Sequence, residues 1–123
     1  GSIFRFEGQV TVFDPKSGPT YRDMVPEPPP AEFAPSCAEA GVLGVLPGIV
    51  GSIQALEAIK LLLDLGDGLT GRLVAFDALE MTFREYKLQR DPTLEVTWDN
   101  RARIKIAELD ELCMPHMTDF LNS

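Results

Sequence analysis

Basic residues are scarce in this chain: 11 Lys and Arg stand against 19 Asp and Glu, a net charge of −8. Phosphate-backbone binding rests on clustered Lys and Arg, so a nucleic-acid partner is not expected. Histidine occurs once, at His116, where a near-terminal position argues against a general-base or ligand role. The two cysteines, Cys37 and Cys113, lie far apart and form no C-x-x-C pair, so they offer no thiolate cluster for zinc. Such usage, without a signal-like start, fits a reduced cytoplasmic setting. No glycine-rich phosphate loop is expected, and G-x-x-x-x-G-K is absent. Glu39, Glu57, Asp77 and Glu80 lack the spacing of an obvious acid–base pair and suit caps, solvation and ion pairs.

One long uncharged run exists, from Ala40 to Leu56. It approaches the lower length limit of a membrane-spanning helix. Its glycines, Pro47, Ser52 and Gln54, and its continuation into Glu57 and Lys60, favour a buried helix of a soluble domain instead. At 123 residues the chain has room for one modest core.

Period-two alternation opens the chain. Phe4, Phe6, Val10 and Val12 share one side, and Arg5, Glu7, Gln9 and Thr11 the other, which predicts a half-buried strand from Phe4 to Phe13. Gly8 interrupts it as a bulge or a tight turn. Asp14-Pro15-Lys16-Ser17-Gly18-Pro19 ends it with strong turn chemistry. Seven of the ten prolines fall within 14–36. That segment is expected to be extended, without helix, either as a solvated linker or as a functional crossing loop.

An apolar helical region follows over 37–64, in which Pro47 either kinks the helix or starts a second one. Gly41, Gly44, Gly48, Gly51 and Ala55 recur at spacings of three and four, giving one glycine-rich face. Interior glycines cost about 0.5–1 kcal/mol each, so this face should meet a closely approaching backbone or form a dimer seam. Leu65-Gly66-Asp67-Gly68 is a glycine stop. Arg72 to Phe76 reads as a strand buried on both faces, Asp77 to Glu80 as a turn, and Met81 to Gln89 as the returning strand of a hairpin. Arg103 to Ile106 suits a short strand and Glu108 to Leu112 a helical turn. Residues 93–123 form a tail or linker whose end is frayed.

The run Pro35-Ser36-Cys37-Ala38-Glu39 places a thiol at a helix start. Ser36 and Glu39 spell an S-x-x-E capping box, which would leave Cys37 as the first helical residue. Orphan N–H groups and the positive end of the dipole favour a thiolate there, while the Glu39 carboxylate opposes one.

These residues resemble a known family. Phe6-Glu7-Gly8-Gln9-Val10, Tyr21-Arg22, Pro35 through Leu43, Ile53-Gln54-Ala55-Leu56-Glu57-Ala58-Ile59-Lys60, Gly71 through Glu85 and Tyr86-Lys87-Leu88 run in the collinear order of one group of proteins. It comprises the molybdopterin-synthase and thiamine-sulfur-carrier adenylyltransferases, relatives of the ubiquitin-activating enzymes. The likeness covers about 1–92 and matches the second half of their domain. Pro26-Glu27-Pro28-Pro29-Pro30 is similar to a subgroup that often carries a C-terminal rhodanese-like sulfurtransferase domain, which this chain does not contain.

The resemblance implies an α/β fold: the C-terminal half of a Rossmann-like domain, with a mixed sheet, a long crossover loop over 14–36, a glycine-faced helix and a hairpin. It implies ATP-dependent activation of the C-terminal Gly-Gly of a ubiquitin-like sulfur carrier protein, for molybdenum cofactor, thiamine or related sulfur transfer. Homodimers are common in the family. Cys37 matches the crossover cysteine that in some members takes an acyl or persulfide intermediate and in others is dispensable, so chemical and structural roles both stand. The hairpin is where the carrier would dock, through Asp77, Leu79, Met81, Phe83 and Arg84, with core filling as the alternative for the apolar three. Mg-ATP would bind the preceding half of the domain, so this polypeptide alone is expected to be inactive, and a carrier-binding or dimerisation fragment is the rival reading. Many members hold a structural zinc through two C-x-x-C pairs; the matching positions here are Thr20, Asp23, Leu94 and Thr97. These do not make a zinc site, and zinc is expected to be absent.

Overall fold

The computed structural model describes residues 1–28 and 41–106. The capping box at Ser36 and Glu39, both cysteines, His116 and the helical turn expected at Glu108–Leu112 lie outside the described residues.

Strands β1 (Ser2–Phe4), β2 (Glu7–Val10), β3 (Arg72–Asp77) and β4 (Thr82–Lys87) form one sheet in sequential order. All three pairings are antiparallel. The expected mixed sheet is therefore corrected for these strands; parallel pairing is confined to isolated bridges, Arg5 with Val42 and Val12 with Thr70.

The single strand expected over 4–13 is instead a tight hairpin plus a short exit. Phe4 pairs with Glu7, so the chain reverses at Arg5 and Phe6, with Arg5 at φ 52°. Gly8 is neither turn nor bulge but a regular β2 residue opposite Ile3 and Phe76. The reversal also moves Phe4 and Phe6 away from the core, and each is 45% exposed.

Helix α2 (Leu46–Leu63) lies across β1 and β2, after a short helix α1 (Tyr21–Met24) inside the proline-rich crossing. Pro47 sits in the first turn of α2, where its missing N–H costs nothing, so it begins the helix rather than kinking it. Gly41 to Val45 are not helical, and Gly41 has φ +73°, so no continuous helix runs from 37 to 64. At the far end the left-handed residue is Asp64, not a glycine, and the Leu65 N–H closes onto the Lys60 carbonyl at 2.9 Å.

The core is small. Val10, Val50 and Leu69 are buried together, with Ile3, Val12, Ile53 and Val74 packed around them. Leu46, Val50, Ile53 and Glu57 repeat at helical spacing and form the stripe of α2 that meets the sheet. Gly8 permits this approach: an added Cβ there would stand 2.6 Å from Cγ2 of Val50. The glycine face behaves otherwise. A Cβ at Gly44, Gly48 or Gly51 would meet nothing within 4 Å among the described residues, so close backbone packing is not what these glycines serve here. The opposite stripe of α2 is open, with Ile59 and Leu62 exposed, which corrects the expectation of a buried helix. By length and composition alone α2 could cross a membrane, but Val50 and Ile53 pack it on the sheet.

A buried carboxylate fixes the distal end of α2. Glu57 accepts from Lys60 Nζ at 2.6 Å through one oxygen and from the Leu69 N–H at 2.9 Å through the other. Lys60 also donates to the Asp67 carbonyl at 2.6 Å, and Arg72 spans from the Gly68 carbonyl to Glu85. Burial pushes the Glu57 carboxyl up; the Lys60 and Leu69 hydrogen bonds, with the charges of Lys60 and Arg72, outweigh it and hold the group low.

Strand β3 is half-buried rather than buried on both faces, apart from Phe76. Residues 103–106 contain a turn and irregular chain in place of the expected strand.

Two outcomes follow. Gly8→Ala destabilises by about 1–3 kcal/mol in chemical denaturation, because the clash is with a stiff β-branched side chain. Adding Val50→Ala gives a double variant more stable than the sum of the single costs. Glu57→Gln costs about 2 kcal/mol at neutral pH. Because the folded pKa lies below the unfolded one, the ionised Glu57 contributes fully above about pH 4.3, the unfolded value. The difference between wild type and Glu57→Gln should hold from pH 6 to about pH 5 and shrink as pH falls through the folded pKa.

Candidate functional site

The β3–β4 turn carries the expected docking residues, and the register divides them. Directly opposed residues share a face. Ala75 faces Arg84 and Asp77 faces Thr82 on one side, whereas Phe76 faces Phe83 and Val74 faces Glu85 on the other. Val74 and Gly8 mark the latter as the side that meets α2. Phe83 stacks against Phe76 with ring centroids 4.7 Å apart, and stays 57% exposed beyond it. Asp77 and Arg84 look out from the open face. Leu79 and Met81 project from the turn itself, each 72% exposed.

Polar contacts shape that turn. Asp77 Oδ1 accepts the N–H groups of Leu79 at 2.9 Å and Glu80 at 3.1 Å, an aspartate-centred turn. The Asp77 carboxylate is thus half committed to local structure. Arg84 pairs with Glu80 at 3.3 Å on the surface. Met81 completes the reversal at φ 54°, a left-handed conformation unfavourable for a side chain of this type.

The β1–β2 turn stands beside it, since the Ala78 N–H donates to the Phe6 carbonyl at 2.9 Å. Phe4, Phe6, Glu7, Asp77 and Leu79 line one shallow cavity of about 190 Å³ between the turns. Exposed Phe4, Phe6, Leu79 and Met81 therefore gather at one end of the sheet. Sequence reasoning placed Phe4 and Phe6 in the core because the two-residue reversal at Arg5-Phe6 has no Gly, Asn or Asp to announce it.

Phosphate chemistry finds little here. An indentation of about 230 Å³ on the open sheet face is lined by Glu7, Asp77 and Arg84 among others, so two carboxylates would face a triphosphate. Gly66-Asp67-Gly68-Leu69-Thr70-Gly71 does spell G-x-G-x-x-G, which the expectation of no such loop passed over. Yet it runs from helix α2 into strand β3, the reverse of the strand-to-helix order that aims N–H groups at a pyrophosphate. Its Leu69 N–H and the Asp67 and Gly68 carbonyls are engaged by Glu57, Lys60 and Arg72. Neither this loop nor the open-face indentation offers a phosphate cradle.

Cys37 lies outside the described residues. Thr20 and Asp23 form a capping box at the start of α1, a helical turn inside the crossing segment that was expected to be wholly extended. The Leu94 N–H closes a turn on the Asp91 carbonyl at 3.2 Å, and Thr97 Oγ1 accepts the Asn100 N–H at 3.2 Å.

A four-stranded antiparallel sheet with a helix closing over its first hairpin makes an α/β arrangement consistent with the expected fold. The match to the ThiF family extends over residues 1–96, and the chain belongs to that family. Sulfur carrier protein adenylyltransferase of Thermus thermophilus is 44% identical over 118 residues, 92% of this chain and 44% of the relative. The probable adenylyltransferase/sulfurtransferase MoeZ of Mycobacterium tuberculosis is 50% identical over 97 residues, 76% of this chain and 25% of its own length. The SAMP-activating enzyme E1 of Haloferax volcanii is 52% identical over 96 residues, 78% of this chain and 35% of its own. The chain thus spans less than half the length of these relatives.

Met81→Gly should raise stability by about 0.5–1 kcal/mol, since glycine meets no Cβ penalty at positive φ. Thermal unfolding of the variant against wild type checks this.

Proposed function

We propose that this chain is the carrier-docking portion of a sulfur-carrier adenylyltransferase. In the complete enzyme, ATP would convert the C-terminal Gly-Gly carboxylate of a ubiquitin-like sulfur carrier to an acyl-adenylate, with pyrophosphate leaving. Attack of hydrosulfide on the acyl carbon would then expel AMP and give the thiocarboxylate directly. Attack by a persulfide would instead expel AMP to give an acyl disulfide, from which a second thiol releases the thiocarboxylate by forming a disulfide. Mg-ATP would be held by residues outside those described, in the half of the domain that the family resemblance places before this one. The observation that carries the docking role is the exposed cluster of Phe4, Phe6, Leu79 and Met81 at one end of the sheet. Apolar side chains at that exposure on a small domain mark an interaction surface. Asp77, Glu80 and Arg84 would form its polar rim.

Membership of the ThiF family and the names of the relatives support the substrate class. Cys37 is a proposed acyl or persulfide thiol on the resemblance of its segment alone. A homodimer and a rhodanese-like sulfur donor belong to the same reading. The second reading, a carrier-binding or dimerisation fragment without activity, is favoured by the acidic lining of the open face.

Pyrophosphate exchange tests where the nucleotide site lies. With a purified sulfur carrier, this chain alone should exchange no label between pyrophosphate and ATP, while binding the carrier in calorimetry. Exchange by the isolated chain would overturn the placement of the nucleotide site. Leu79→Ala and Met81→Ala should each weaken carrier binding about 5- to 30-fold, the range of a well-packed interface anchor. Phe83→Ala should act mainly on stability through its stack with Phe76. If Leu79 and Met81 variants bind unchanged, the docking surface lies elsewhere.

A further inference from the structure

We propose that a metal-free clasp centred on the Asp23 carboxylate joins the crossing segment to the run after β4, at the positions where many members of the resembled family hold a structural zinc.

The donor set rules the metal out on chemistry. Structural zinc takes four thiolate or imidazole ligands in a tetrahedron. Leu94 has no ligating atom, and the hydroxyls of Thr20 and Thr97 are already used within their own turns. That leaves one carboxylate, and its oxygens are engaged. Asp23 Oδ2 accepts the Thr20 N–H at 2.6 Å and the Thr20 hydroxyl at 3.0 Å, while Oδ1 accepts the Asp91 N–H at 2.7 Å.

The Asp91 contact closes a loop of 68 residues. It is supported on both sides. Arg90 Nη2 donates to the Pro15 carbonyl at 2.7 Å and the Gly18 carbonyl at 2.8 Å. Trp98 sits under two cations, Lys16 at 4.6 Å and Arg101 at 4.3 Å from the ring centre, so a crossing-segment lysine stacks on the later run. The Asp91 turn is pre-formed: Asp91 Oδ1 accepts the Thr93 N–H at 2.9 Å and the Thr93 hydroxyl at 2.6 Å. Burial pushes the Asp23 carboxyl up, and the Thr20 and Asp91 N–H groups, the Thr20 hydroxyl and Arg90 together hold it below the usual range. One acidic side chain thus does by accepting hydrogen bonds what a metal does by coordination: it bridges two remote loops. The loop it holds precedes, in sequence, the segment that contains Cys37.

The test uses the chain as it is, in three measurements. Elemental analysis after expression in zinc-supplemented medium should find no stoichiometric zinc, and a chelator should leave Tm unchanged. Asp23→Asn should lower Tm by about 4–8 °C, since a domain of this size shifts that much for one weakened interaction. Hydrogen–deuterium exchange should then speed up in peptides spanning 90–101 while β3 amides stay protected. Ser52→Ala, an exposed change on α2 away from the clasp, should leave exchange at 90–101 as in wild type. Stoichiometric zinc with a chelator-sensitive Tm would overturn the proposal. So would an Asp23→Asn chain whose 90–101 amides exchange at the wild-type rate. If Asp23→Asn does not fold, Arg90→Ala supplies the same exchange measurement, and unchanged protection there also overturns it.

Discussion

The buried carboxylate of Glu57 is the constraint on which the arrangement turns. A helix lying on a three-residue edge strand and its neighbour has little apolar area to hold it, and the core of Val10, Val50 and Leu69 is small. Fixing one end of α2 by hydrogen bonds to the segment that begins β3 compensates for this. The Leu69 N–H has no strand partner at its position, and Glu57 satisfies it from the helix. Lys60 in turn neutralises Glu57 and reaches the next loop carbonyl. An acid in this place therefore links helix, loop and sheet, so that helix position and strand register cannot vary independently.

From that fixed pairing the exposed surfaces follow. With Val50 over Gly8, the turns at Arg5-Phe6 and Ala78–Met81 fall side by side, and their apolar residues are left without cover. The far stripe of α2 is equally bare. Exposed Ile59 and Leu62 on this stripe suit cover by a further part of a larger structure, and relatives more than twice as long as this chain accord with that. The glycines at 48 and 51 leave a shallow side on this stripe rather than a tight contact within the chain.

Much of the fold was legible in sequence. The β3–β4 hairpin announced itself through the apolar run from Leu73 to Phe76 and the Asp77 turn, and Pro47 marked the start of α2. Misses arose where a local rule yields to a neighbour. The Arg5-Phe6 reversal has no turn residue, because bonds from Leu43 and Ala78 to its carbonyls hold it in place. Asp64 takes the left-handed cap although glycine stands two residues on. Thr20 and Asp23 spell T-x-x-D, a capping signal, but prolines on both sides concealed it. The candidate site was half legible. Leu79 and Met81 were named through the family resemblance of the hairpin, whereas Phe4 and Phe6 depended on a tertiary contact that periodicity does not contain.

The stacking of Lys16 and Arg101 on Trp98 has a practical side. The chain has a single tryptophan, and it lies where two remote segments meet rather than in the core. Its fluorescence consequently reports the state of that junction and is nearly blind to the sheet. Because Lys16 of the crossing segment covers one side of the ring, loss of that contact would change the solvent exposure of the indole. The emission therefore gauges whether the segment is fastened, with no label attached.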